Sequence, residues 1–207
     1  EAADTVDLSN ITFDPNAIGN FAVTGSTGVD VITGSAVVDV IDGGTGNDTV
    51  TFGTGADRFT YDTTADGVDT FTDFTTTSDT WQTDFTTTLS TGASAIVTSA
   101  AYSDAALVFD NTATDVKQVT GATLALADAS NEQAVINAVS NGTVTVAQSD
   151  KFLLSVVTST NTYLYEVTEA GGVRTTITAD DDTITLVGIF TNGVTFATND
   201  IDENDAT

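Results

Sequence analysis

From residue 25 the apolar positions follow a period that is neither helical nor a simple alternation. Four successive nines run GSTGVDVIT from Gly25, GSAVVDVID from Gly34, GGTGNDTVT from Gly43 and FGTGADRFT from Phe52. Each places an acid at position six (Asp30, Asp39, Asp48, Asp57) and a large apolar residue at position eight (Ile32, Ile41, Val50, Phe59). Glycine falls at position one, two or four of every copy, including Gly25, Gly28, Gly43, Gly46 and Gly55. A degenerate copy from Asn16, NAIGNFAVT, carries Phe21 in the Asp position, and another from Tyr61, YDTTADGVD, aligns Asp66 and Val68. Self-similarity at a fixed period is the mark of a solenoid. Six residues of each nine predict a turn, and three predict a short strand whose single inward side chain sits at position eight.

If turns alternate between two edges, one coil takes two repeats. Asp30, Asp48 and Asp66 then stack along one edge, and Asp39 and Asp57 along the other. Carboxylates about 6 Å apart repel by roughly 3 kcal/mol at an effective dielectric of ~20, more than one buried side chain per strand offsets. A hard cation with six to eight oxygen ligands, taken from carboxylates and bared glycine carbonyls, answers that repulsion. Calcium fits such a flexible oxygen cage better than magnesium, which prefers rigid octahedra and retains its waters. Residues 25–69 are therefore expected to be frayed without Ca²⁺ and ordered with it.

Beyond the repeats the pattern changes to β-branched and aromatic runs. Strands are predicted at 94–99, 106–110, 115–120, 152–157, 162–168, 173–178, 183–190 and 194–197, with Ser159-Thr160-Asn161, Gly171-Gly172 and Asn192-Gly193 as turns. One helix stands out: Ser130 with Gln133 forms a capping box (Asp128 competes as the cap), Val135, Ile136 and Val139 share a face, and Gly142 follows Asn141 as a stop. At the other end Leu8, Ile11 and Phe13, before Pro15, suit a first strand or a linker. The expected architecture is mostly β, in three parts. Residues 1–15 are an N-terminal strand or linker, 16–84 a short parallel β-roll with a closing cap, and 85–207 a β-sandwich-like domain with one short α-helix.

Composition narrows the chemistry. Thirty acids against four bases leave a formal charge of −26 over 207 residues, while 40% hydrophobic content argues against disorder. Salt bridges are too few to answer the carboxylates. With no His and no Cys, imidazole catalysis, thiolate catalysis, disulfides and Cys-ligated metals are excluded. The negative charge disfavours nucleic acid and anionic membranes, and no apolar run has the length of a spanning helix. The chain opens at Glu1, and Glu1-Ala-Ala-Asp4 lacks a basic n-region, so no signal peptide is expected within it; a processed chain and a fragment both fit. Asp180-Asp181-Asp182 reads as a solvated turn, with calcium binding as the alternative. Halophilic adaptation would explain the acidity but not the nine-residue register.

These repeats resemble the RTX (repeats-in-toxin) family, which is secreted by Gram-negative type I machinery and folded by calcium outside the cell; the Gly43 copy matches its full nine-residue consensus. GVDTFTDFTTTSDTW, from Gly67, resembles the segment that closes RTX rolls. The resemblance implies further calcium ligands at Asp69, Asp73 and Asp79, with Phe71, Phe74 and Trp81 plugging the open end. SDKFLLSVVTSTNTYLYEV from Ser149 and DDTITLVGIFTNGVTF from Asp181 resemble an end pattern of RTX exoproteins, closest to the C-terminal portion of calcium-dependent surface-layer proteins. Two departures stand out: Val37 replaces the fourth-position glycine of the Gly34 copy, and Phe52 replaces a first-position glycine.

The expectation is a non-enzymatic, extracellular or cell-surface structural protein. It would be a subunit or terminal region of a bacterial surface layer or fibre, with Ca²⁺ as cofactor and further copies of itself as partners. Cell-surface polysaccharide is a second candidate partner; nucleic acid and membrane insertion are not expected. The alternative is the calcium-binding type I secretion domain of a larger RTX exoenzyme or adhesin. A polysaccharide lyase of β-helical shape would need Arg or Lys near its anion, and only four bases exist.

Overall fold

A computed structural model describes residues 3–11, 20–83, 96–100, 107–109, 116–139, 144–146, 151–168, 183–197 and 200–203. The first eight strands are β1 (Thr5–Asp7), β2 (Phe21–Thr24), β3 (Val31–Thr33), β4 (Asp39–Asp42), β5 (Thr49–Thr51), β6 (Arg58–Tyr61), β7 (Asp69–Phe71) and β8 (Thr80–Thr83). They alternate between two parallel stacks, β1-β3-β5-β7 and β2-β4-β6-β8. This is the predicted roll, because every nine residues the chain crosses from one sheet to the other. Its interior is the position-eight column: Ile32, Val50 and Phe71 line up in one sheet, Ile41, Phe59 and Trp81 in the other, all buried. Arg58, at position seven, faces outward and is exposed.

Of the two readings of the N-terminal segment, strand or linker, residues 5–7 form a strand: β1 pairs in parallel with β3 and Val6 lies level with Ile32. One expectation about the roll changes. The copy from Tyr61 does not keep the nine-residue step. Thr49 pairs with Thr70 and Val50 with Phe71, so a 21-residue offset replaces the 18 of a regular coil. A 3-10 turn at Thr64–Asp66 absorbs the three extra residues. Asp69 and Phe71, rather than Asp66 and Val68, therefore hold positions six and eight.

The later elements are β9 (Ile96–Ala100), β10 (Leu107–Phe109), β11 (Val116–Thr120), α1 (Glu132–Val139), β12 (Val144–Val146), β13 (Lys151–Val157), β14 (Asn161–Thr168), β15 (Thr183–Thr191) and β16 (Ile201–Glu203). They do not stand apart from the roll. β15 lies parallel to β7 with Phe190 level with Phe71, giving one nine-stranded sheet ordered β1-β3-β5-β7-β15-β14-β13-β11-β9. β16 lies parallel to β8 with Ile201 level with Trp81, so a C-terminal strand continues the second stack too. β10 and β12 form a separate parallel pair.

The C-terminal strands bury both faces, which gives this part its sandwich-like layering. On one face Val135, Ile136, Ala138 and Val139 of α1 pack over Val119, Leu154, Val156, Tyr163 and Tyr165. On the other, Val116, Leu153, Leu164 and Val187 join the roll interior in a single core. Phe71, Phe74 and Trp81 pack at the end of the roll, where Phe71 and Phe74 meet rings from far along the chain as well as Phe52. The Phe190 ring is 4.6 Å from Phe71 and 5.1 Å from Phe74, and Phe196 is 4.8 Å from Phe190. Burying such rings is the largest apolar contribution at this junction.

Six of the predicted C-terminal strands appear as β9, β10, β11, β13, β14 and β15. Residues 194–197 are not a strand. They are held by buried Gln118, whose Nε2 donates to the Phe196 carbonyl (3.2 Å) and whose Oε1 accepts from the Phe196 N–H (2.8 Å). β12 and β16 were not anticipated, and the 173–178 strand lies outside the described residues. The cap of α1 is Asn131, whose Oδ1 accepts from the Ala134 N–H at 2.9 Å. Neither Ser130 nor Asp128 fills that place, and Gln133 turns instead to Asn137. The stop at Asn141-Gly142 and the Asp180–Asp182 cluster lie outside the described residues.

Candidate metal centre

Two ladders of aspartates run along the two edges of the roll. On the first, the Asp4 N–H donates to Asp30 Oδ1 (2.7 Å), the Asp30 N–H to Asp48 Oδ1 (2.8 Å) and the Asp48 N–H to Asp69 Oδ1 (2.9 Å). On the second, the Asp39 N–H donates to Asp57 Oδ1 (2.8 Å) and the Asp57 N–H to Asp79 Oδ1 (3.2 Å). Asp30, Asp48, Asp57, Asp69 and Asp79 thus each spend one oxygen on the backbone of the rung before. All six carboxylates from Asp30, Asp39, Asp48, Asp57, Asp69 and Asp79 are buried.

The second oxygen is what the local structure leaves over. Oδ2 of Asp48, of Asp57 and of Asp69 is buried and accepts no hydrogen bond. Leaving a buried carboxylate oxygen unsatisfied costs about 1–3 kcal/mol, more when it is charged. Asp30 and Asp39 instead accept the N–H of Ser26 and Ser35 at Oδ2, each at 2.6 Å.

Protonation follows the same division. Hydrogen bonds from the Ser26 and Asp4 N–H groups hold the Asp30 carboxyl below its ordinary range. Burial pushes the carboxyls of Asp48 and Asp79 up, Asp57 up to about 6 and Asp69 up to about 8, with neighbouring carboxylates adding to the rise.

The glycines make room for oxygens. A Cβ on Gly25 would collide with the Gly43 carbonyl and reach Asp30 Oδ2, and one on Gly34 would meet the Phe52 carbonyl and Asp39 Oδ2. The space each lacks is therefore lined by one carboxylate and one carbonyl oxygen. A Cβ on Gly43 would strike Asp48 Oδ2, and one on Gly55 would approach Asp57 Oδ1 and the Val37 carbonyl. Gly46 sits at φ +136° with the Gly28 carbonyl against it, a placement that only glycine accepts. No three acidic side chains among the described residues converge into a ready cage. A cation here would take carboxylate oxygens from the ladders and its remaining ligands from turn carbonyls, as calcium does.

The two departures from the repeat pattern are absorbed. Val37 offers its carbonyl where Gly28 does on the other edge, and Phe52 offers its carbonyl where Gly43 does. The Phe52 ring meanwhile is buried, 5.9 Å from Phe71 and 5.8 Å from Phe74. Two further predicted ligands hold backbone N–H groups. Asp66 accepts the N–H groups of Asp62 (2.7 Å) and Thr63 (3.1 Å) within the 3-10 turn, outside the Asp30–Asp48 column. Asp73 clasps the N–H groups of Phe52 (2.6 Å) and Gly53 (2.9 Å) from the next coil. Asp4 was missed by sequence reasoning. Its signal was the Asp4-Thr5-Val6 triplet, an acid two residues before an inward apolar residue, as in each repeat.

Residues 24–59 match the family model of the RTX calcium-binding nonapeptide repeat in four copies. With the parallel stacks and paired Asp ladders, this identifies the segment as an RTX β-roll, and its repeats are of the kind that bind Ca²⁺. No curated protein matches the chain. No helix among the described residues is long and apolar enough to cross a membrane.

Proposed function

We propose that the protein is a secreted structural subunit, or the terminal region of one, whose fold is completed by calcium outside the cell and which then assembles with further copies into a surface layer or fibre. The observation that carries the calcium-completed fold is the set of buried, unsatisfied Oδ2 atoms on Asp48, Asp57 and Asp69. Where calcium is scarce those carboxylates destabilise the roll. In millimolar calcium, even sites with Kd of about 10⁻⁴–10⁻³ M are substantially filled and their free energy is added to folding. Because β15 and β16 extend the two stacks of the roll, calcium at the ladders also steadies the surface on which the C-terminal strands dock. Neutralising part of the −26 charge lowers the repulsion between copies.

The test is far-UV circular dichroism with light scattering as calcium is raised from chelator to millimolar, with magnesium as the control. Folding followed by growth into large particles is expected with calcium and not with magnesium. Folding without growth removes the assembly part of the reading, and no response to calcium removes the whole of it.

A further inference from the structure

We propose that the open N-terminal end of the roll is a self-association surface, at which strand β2 pairs antiparallel with β2 of a second copy. This deepens the reading above and rests on its assembly part.

The end of the roll is unlike the rest of the surface. Five large hydrophobic side chains are exposed among the described residues, and four of them, Ile11 (43%), Phe21 (36%), Val29 (57%) and Val31 (45%), lie on the first rungs. Among the described residues β2 is the outermost strand of its sheet. The Phe21 and Gly25 N–H groups turn inward to the carbonyls of Val38 and Asp42, so by the two-residue alternation Ala22 and Thr24 present theirs outward. Both residues are exposed. An edge of this kind is a template for another strand.

Charge selects the occupant. Residues 15–29 contain no ionisable side chain, in a chain of net charge −26. The other strands that end the two stacks carry acids in their sequences, Asp7 on β1, and Asp202 and Glu203 on β16. Two copies approaching at those edges would set like charges opposite one another. An antiparallel β2–β2 contact sets uncharged segment against uncharged segment and is self-complementary about a two-fold axis. Phe21 points the same way. It stands level with Asp39, in the place that an acid fills on the following rungs, so this rung ends in an apolar side chain instead of a metal ligand.

The test is sedimentation equilibrium of the calcium-saturated chain from micromolar to millimolar concentration, on wild type, Ala22→Pro and Ala22→Asp. Proline at an outward edge position removes one donor without touching the pairing to β4; the Asp variant places an acid in the uncharged segment if the Pro variant fails to fold. Concentration-dependent dimers are expected for wild type, with a dissociation constant raised about tenfold or more in either variant at unchanged circular dichroism. A wild-type chain that stays monomeric throughout overturns the proposal and leaves the edge to a strand of another protein. Dimers of equal strength in all three chains overturn it as well. Failure of calcium-induced folding would appear in the circular dichroism, so it is distinguishable from failure of the contact.

Discussion

Replacing Asp69 by Asn should stabilise the fold in chelator and lose most or all of that gain in calcium. Asp69 is fully buried; its Oδ1 accepts the Asp48 N–H and its Oδ2 has no partner. Burial raises its carboxyl from 3.8 to about 8. Because the folded value exceeds the unfolded one, the penalty is absent below about pH 4, and the calcium-free fold loses stability as pH rises from there to about 8. At 1.36 kcal/mol per unit, the cost at pH 7 is about 4 kcal/mol. Asn keeps the Oδ1 acceptor and removes the titration, but its amide N–H₂ inherits an unsatisfied buried site worth about 1–3 kcal/mol. The net expectation in chelator at pH 7 is a gain of roughly 1–3 kcal/mol. With calcium near fifty times a site's Kd, the wild type gains about 2 kcal/mol from each bound ion, and the variant loses that contribution at this site. Urea melts of both chains, with chelator and with calcium at pH 7, read the gain and its loss directly. Destabilisation by the same amount in both buffers would show that the Asp69 carboxylate serves the fold without a cation, and the argument from its orphaned oxygen would fail.

Gly43→Ala drives a methyl group onto Asp48 Oδ2 and should weaken calcium binding at that rung about tenfold or more, measured by isothermal titration calorimetry. Phe190→Ala removes a ring stacked on Phe71 and packed edge-on to Phe74 and Phe196; a loss of about 3–5 kcal/mol in denaturant melts is expected. Gln118→Leu strands the N–H and C=O of Phe196 and should cost about 2–3 kcal/mol. It should also raise amide exchange in residues 194–203 well before it does so in the repeats. In calcium-free protein, the far-UV signal of the roll should strengthen on acidification from pH 8 to pH 5, as the raised carboxyls of Asp57 and Asp69 take up protons.

Within the repeats nearly everything was legible, because register there is local. An acid at position six and an apolar residue at position eight recur every nine residues, and backbone pairing between neighbouring coils does the rest. Legibility failed where the period broke. The degenerate Tyr61 copy aligned Asp66 with the ladder, yet the Thr63–Asp66 cap closes a turn of its own and passes the ladder position to Asp69. Asp4 was invisible for the converse reason: one good triplet, separated from the array by an irregular spacing, carries no period.

The sequence by itself determined the roll, its two columns of acids and the calcium-binding kind of its repeats, since all three follow from the spacing of Asp, Gly and inward apolar residues along neighbouring turns. Only the tertiary structure decided how the roll ends. Phe71 meets Phe190 over a sequence separation of more than a hundred residues, Ile201 falls in line with Trp81, and a glutamine side chain stands in for a strand beside Phe196. Such pairings depend on which distant surfaces bury the most apolar area together, and no short-range pattern encodes that choice. The same contacts make the C-terminal strands a continuation of the roll, so the aspartate ladders and the distant core share one sheet.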